Sequence, residues 1–177
     1  MKNAAKWGIF GVGAVAVAGI AVLVMASKPK SYPAVCWKNL RGTEISDDYC
    51  EKIVLEEDSK REFIWKKNSV SANVGGTETF LTGGMPIWAV YFSDLTGDGM
   101  REMIAEISTG GATSHDVIVV YDLKKQTTYT LDEPQMFNYT TYFENGEVCA
   151  MKKPYNDPNG SGLSGVLKVT DSGLALV

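Results

Sequence analysis

Asp94, Thr96, Asp98 and Glu102 put four oxygen-bearing side chains into one short stretch, Asp-Leu-Thr-Gly-Asp-Gly-Met-Arg-Glu. Gly99 falls where a loop wrapped around a cation must turn sharply, and the backbone carbonyl of Met100 takes the seventh place. Carboxylate, hydroxyl and carbonyl oxygens are the ligands of hard cations, and calcium takes about six to eight of them at about 2.3–2.6 Å. Strand-like runs flank the stretch, 87–92 before it and 103–107 after it. The spacing therefore predicts a calcium-clamped β-hairpin with Asp94, Thr96, Asp98, Met100 and Glu102 as ligands. The stretch is shorter than the twelve-residue EF-hand loop, and a strand rather than a helix follows it, which argues against an EF-hand. Thr96 is a weaker ligand than Asp and lowers the expected affinity. The competing reading is a plain turn, since Asp and Gly are favoured in turns for their own backbone chemistry.

Other chemistry is thinner. His115 is the only histidine, so a multi-histidine metal site is excluded. A hydrolytic triad would need Ser108 or Ser114 as nucleophile, His115 as base and Asp116 as orienter. Neighbouring residues of a strand point to opposite faces, so Asp116 could not orient His115 there, and no G-x-S-x-G elbow is present. Glu56-Glu57 and Asp132-Glu133 are carboxylate pairs of the kind a glycosidase uses, but 21 acids make chance pairs expected. Trp65, Trp88, Tyr139, Tyr142 and Tyr155 could form a strip for sugar or peptide, or they are ordinary sheet core. A second oxygen-rich loop at 156–162 reads more readily as a Pro- and Gly-dense turn than as a cation site.

The elements that must position these residues read as mainly β, an antiparallel β-sheet domain with one N-terminal helix, preceded by a transmembrane helix. The helix is expected at 46–58, where Asp48 and Glu51 resemble a capping box and Tyr49/Ile53 and Cys50/Val54 stack at i,i+4. Strands are expected at 62–66, 77–82, 87–92, 103–107, 117–121, 127–131, 136–143, 147–151, 166–170 and 174–177. The continuous apolar run at 117–121 suits an interior strand. Asn145-Gly146 is a hairpin signal, because both central residues of that turn need positive φ. A single metal loop and the chain length leave no room for a full propeller.

The N-terminal end is a different material. Lys2 and Lys6 precede an uncharged apolar run from Trp7 to Ala26, which Lys28, Pro29 and Lys30 stop. Twenty helical residues span about 30 Å, the thickness of the hydrocarbon core, whereas a secretory h-region is about 7–15 residues long. The expected layout is a cytoplasmic tail at 1–6, a transmembrane signal anchor at 7–26, a stalk at 27–34 and an extracytoplasmic β-rich domain at 35–177. The alternative is a signal peptide cleaved before Ser27. Lysines at both ends leave the positive-inside balance nearly even, but a short tail followed by one span places the large domain outside. Four of the 17 basic residues lie at or before Lys30 and no acid precedes Glu44, which leaves 21 acids against 13 bases and a net charge of −8 beyond the span. Such a domain is repelled by nucleic acid and by anionic lipid. Outside the cell Cys36, Cys50 and Cys149 allow three disulfide pairings, Cys36 with Cys50 closing the shortest loop. No C-x-x-C or lipobox is present.

The loop resembles the metal loops of FG-GAP and VCBS-type β-repeat proteins, Asp-x-Asn/Asp/Thr-Gly-Asp-Gly-x-x-Asp/Glu between two strands. Further stretches, Met85-Pro-Ile-Trp, Gly110-Gly111, the run His115 to Asp122, Tyr129-Thr-Leu, Tyr139-Thr-Thr-Tyr and Pro154-Tyr155, resemble a second family. That family is the extracytoplasmic C-terminal extension of Firmicutes β-lactam-sensor-like membrane metallopeptidases, and the likeness covers about half the chain. The peptidase half is absent, for there is no H-E-x-x-H. The resemblance implies an outside-facing module without proteolytic function. The expectation is a membrane-anchored binding or sensing module with a calcium-stabilised hairpin and a protein or cell-wall ligand. The alternatives are an envelope hydrolase, or an assembly factor acting through its span.

Overall fold

The computed structural model describes residues 32–111, 114–133, 136–157, 159 and 161–177. The expected tail, span and most of the stalk lie outside the described residues. Among the described residues no helix is long and apolar enough to cross a membrane.

Thirteen strands follow one another: β1 (Val35–Asn39), β2 (Cys50–Leu55), β3 (Asp58–Lys66), β4 (Ser69–Val74), β5 (Thr77–Gly83), β6 (Ile87–Ser93), β7 (Glu102–Ser108), β8 (Asp116–Asp122), β9 (Thr127–Leu131), β10 (Phe137–Glu144), β11 (Glu147–Pro154), β12 (Leu163–Thr170) and β13 (Gly173–Leu176). They build three antiparallel sheets, ordered β1-β6-β7-β8-β9, β2-β3-β4-β5 and β10-β11-β12-β13. The five-stranded sheet is the middle layer. One of its faces packs Val90, Phe92, Met103, Ala105 and Val119 against Phe63, Trp65 and Val70 of the β2–β5 sheet. The other packs Tyr91, Ile104, Ile118 and Val120 against Tyr139, Val148, Ala150 and Leu167 of the β10–β13 sheet. Every residue of β7 is buried, because successive side chains enter opposite cores. The apolar run of β8 has the same cause, and β8 is an interior strand with β7 and β9 on either side.

Residues 46–58 are not a helix. Ser46–Tyr49 form a turn and Cys50–Leu55 pair with β3 in register, Cys50 opposite Lys66 and Ile53 opposite Phe63. Tyr49 and Ile53 satisfy i,i+4, but Tyr49, Glu51, Ile53 and Leu55 also satisfy a period of two. The strand period wins because that row lies against the first core: Leu55 is in it, and Tyr49 and Ile53 pack on it. Glu51 pairs with Lys38 instead of closing a capping box. The Asn145-Gly146 turn is as expected, with φ of 52° and 82° between the paired Glu144 and Glu147.

Candidate metal centre

The β6–β7 hairpin closes with Ser93 opposite Glu102, and the residues between them form the loop. Asp94 organises it. Its Oδ1 accepts the amide hydrogens of Gly97 (2.7 Å) and Asp98 (3.1 Å), and its Oδ2 accepts that of Gly99 (2.9 Å). Gly97 and Gly99 have φ of 74° and 87°, the left-handed region where glycine carries no Cβ penalty. Asp98 Oδ1 accepts from Met100 N at 3.0 Å. Glu102, the first residue of β7, turns back over the loop. Its Oε2 accepts from Leu95 N (2.6 Å) and Thr96 N (3.3 Å), and its Oε1 from the Thr96 hydroxyl (3.0 Å).

These bonds bring Asp94, Asp98 and Glu102 together. One ligand oxygen from each lies within 4.8 Å of the other two. Oxygens on opposite sides of a cation bound at about 2.3–2.6 Å stand about 5 Å apart, so the three fit one shared ion. Thr96 is in the same turn but donates its hydroxyl hydrogen to Glu102, and Met100 donates its amide to Asp98. A cluster of three acids that could hold a metal ion is thus in place, and nothing in its geometry alone is peculiar to calcium.

The electrostatics point the same way. Glu102 is 1% exposed. Burial pushes its carboxyl up to about 7, with the charges of Asp122 and Asp94 adding to the rise and the bonds from Leu95 and Thr96 opposing it. Asp122 is a residue the sequence reading missed. It sits one step beyond the Met103–Tyr121 pair, directly across the β7–β8 ladder from Glu102. Asp122 is fully buried; its Oδ1 accepts from the amides of Lys124 (3.0 Å) and Lys125 (2.8 Å), while its Oδ2 has no hydrogen-bond partner and only the Lys125 ammonium near it, at 3.3 Å. Two buried carboxylates side by side are costly, and the one ammonium close to Asp122 Oδ2 belongs to a lysine side chain that is 53% exposed. Lys124 supplies a stand-in, its Nζ 3.0 Å from Asp98 Oδ2. Burial works against ionising Asp98, but the bonds from Lys124 and Met100 prevail and hold its carboxyl below the usual range.

Two further polar anchors were not foreseen. Arg101, in the loop itself, is buried and forks onto Glu57 of the β2–β3 turn (Nε to Oε1, 2.6 Å), with Nη1 donating to the Pro33 carbonyl at 2.9 Å. Glu106, fully buried in β7, takes Arg41 Nε on Oε1 (2.6 Å) and both the amide and hydroxyl of Thr141 on Oε2 (2.5 Å each). Arg101 and Glu57 are a charge pair buried together, whereas Glu106 is buried and reaches a partly exposed Arg41; in both cases the buried charge has its counter-charge.

The hydrolytic constellation is not assembled. Ser108 Oγ donates to Asp116 (2.9 Å) and meets Ser114 (3.1 Å), while the His115 ring meets Thr109 (3.1 Å) and Asp132 (2.8 Å). The acid pairs are tied up singly, Glu57 to Arg101, and Glu133 to Lys152 and the Tyr139 hydroxyl. Two of the five aromatics belong to the cores and are not available to a strip. Trp65 is buried against Trp37 and Tyr49, Tyr139 is buried, and Trp88 lies under the Arg41 guanidinium. Cys36, Cys50 and Cys149 are free thiols. The 156–162 loop includes positions outside the described residues. No family model, curated protein or solved structure matches this chain.

Proposed function

We propose that this chain is a calcium-stabilised binding module, held outside the cytoplasm by a single N-terminal membrane span and acting on a protein or cell-wall partner by recognition rather than catalysis. The observation that carries the metal part is the convergence of Asp94, Asp98 and Glu102 at the end of the ladder where the buried Asp122 also lies, its Oδ2 met by the Lys125 ammonium alone. An all-oxygen donor set in a short irregular loop suits calcium, which tolerates uneven geometry. Magnesium demands a near-regular octahedron and zinc prefers nitrogen and sulfur. Asp94, Asp98 and Glu102 would each give a carboxylate oxygen, and the Met100 carbonyl and the Thr96 hydroxyl are the remaining candidates from the sequence. The location rests on the uncharged run at 7–26, long enough to cross a membrane as a helix. The non-catalytic reading is supported by the engagement of each candidate nucleophile and base with a structural partner.

Thermal unfolding of the chain in mild detergent, with chelator, calcium or magnesium, tests the reading. Calcium at a hundred times its Kd adds about 2.7 kcal/mol. The expected result is a rise in Tm with calcium, a smaller one with magnesium, and none in Asp98→Asn. An unchanged Tm for the unaltered chain in millimolar calcium would refute the metal site. Co-sedimentation with purified cell-wall polymer, stronger with calcium than with chelator, tests the recognition part.

A further inference from the structure

The turn that joins β8 to β9 presses on the metal loop. Asp122 and Thr127 close the turn, and Asp122 Oδ1 pins the amides of Lys124 and Lys125. From that fixed backbone Lys124 reaches Asp98 Oδ2 at 3.0 Å and Lys125 reaches Asp122 Oδ2 at 3.3 Å. Four carboxylates at this end of the sheet, those of Asp94, Asp98, Glu102 and Asp122, are therefore met by two ammonium groups on one turn. The Lys124 side chain is 57% exposed and can swing into water without disturbing the core.

Resting on the calcium reading above, we propose that Lys124 is a built-in rival for the cation: its ammonium occupies the open lone pairs of Asp98, and metal binding must evict it, so the β8–β9 turn sets the affinity of the loop. The chemistry is an exchange of charges. An ammonium satisfies one carboxylate as a point charge with three donors, whereas a divalent ion bridges several carboxylates at once. The two cannot share Asp98 Oδ2 without repelling each other at close range. The lysine thereby keeps the acids from repelling one another in the metal-free protein and raises the calcium concentration needed for occupancy. Asp98 is also the acid whose other oxygen is already committed to the Met100 amide, so Oδ2 is the atom over which the two cations compete.

Calorimetric titration of calcium chloride into the full chain in mild detergent tests this. Lys124→Gln removes the rival charge and is expected to tighten Kd about threefold to tenfold, the scale on which an exposed ion pair and its repulsion of the metal act. Lys124→Arg keeps the charge and should stay within about twofold of the unaltered chain. Lys52→Gln removes a lysine paired with Glu62 on another sheet and should change nothing, which separates a local effect from a change in net charge. The gain of Lys124→Gln should shrink in about half-molar salt. An unaltered chain that binds calcium with a Kd indifferent to Lys124→Gln, or weakened by it, overturns the inference and leaves the calcium site standing. Heat of binding absent from the unaltered chain and from Lys124→Gln alike overturns both.

Discussion

Replacing Glu102 by Gln should make the metal-free protein more stable while removing its response to calcium. In the folded chain the Glu102 carboxyl is pushed from its ordinary 4.5 to about 7, first by burial and then by the charges of Asp122 and Asp94. A raised value means that the fold holds this proton more tightly than the unfolded chain does. The stabilisation is therefore complete below about 4.5 and is lost as pH rises through about 7. Above that point the ionised, metal-free site costs about 3 kcal/mol. Gln removes the charge and keeps the shape. Its amide oxygen can still accept from Leu95 and Thr96, and its amide nitrogen can donate to the Thr96 hydroxyl. Allowing for the weaker bonds of a neutral acceptor, the net gain is about 1–2 kcal/mol, or about 3–6 °C in Tm for a domain of this size. Urea and thermal unfolding in chelator, followed by the emission of Trp37 and Trp65 in the first core, measure it. Between about pH 8 and pH 6 the unaltered chain in chelator should gain stability on acidification, and Glu102→Gln should gain much less. A Glu102→Gln protein less stable than its parent in chelator, or two identical pH slopes, would refute the reasoning.

Arg101→Met leaves Glu57 ionised and alone in a buried site, and the expected loss is about 3–5 kcal/mol, measured by urea unfolding. The pair replacement Arg101→Met with Glu57→Met should recover most of that loss, and a single variant that loses under about 1 kcal/mol would show the pair to be dispensable. Cys36 and Cys50 are exposed and Cys149 is 5% exposed. Titration with a thiol reagent should therefore find two fast groups in the folded chain and a third only on unfolding, and slow reaction of either exposed thiol would contradict the structure.

The sequence showed the strands where a short apolar or alternating run stood between turn-forming residues, whether one face or both are buried. The 127–131 strand has the bounds observed for β9, and the 87–92 and 103–107 runs were extended by a residue at one or both ends in β6 and β7. The failures have physical causes. Residues 46–58 carried two periods at once, and only the opposing sheet decides between them. Strand β1 begins two residues after Pro33 and gains its partner, β6, some fifty residues later, so nothing local marks it. Strand β4, Ser-Val-Ser-Ala-Asn-Val, does alternate polar and apolar residues and was legible in principle, but its short side chains mark it weakly and Ser71 is buried along with Val70 and Ala72. At the site the three clustered acids were visible because they come from one short loop. Asp122, Arg101 and the Arg41–Glu106 pair were not, since each depends on a partner distant in sequence. One signal was available: Glu106 interrupts a strand otherwise apolar on both faces, and a charge there requires an internal counter-charge.

The loop is held from several sides before any ion arrives. Leu95 is buried in the second core, and its carbonyl accepts from Val169 N of β12 at 3.3 Å. Arg101 fastens the other arm to the β2–β3 turn and to Pro33. Asp94 has already bound three amides and Glu102 two. A cation entering such a site orders little that is not ordered already, so its binding energy is not spent on loop closure. What it changes is the charge balance of Asp94, Asp98, Glu102 and Asp122, which two exposed lysines only half satisfy. The stabilising effect of calcium should therefore come from cancelling carboxylate repulsion rather than from folding the hairpin. On the calcium reading, a chain already folded without metal would still gain from binding it. On that reading the control of affinity would lie in the β8–β9 turn, whose Lys124 and Lys125 side chains are exposed and free to leave.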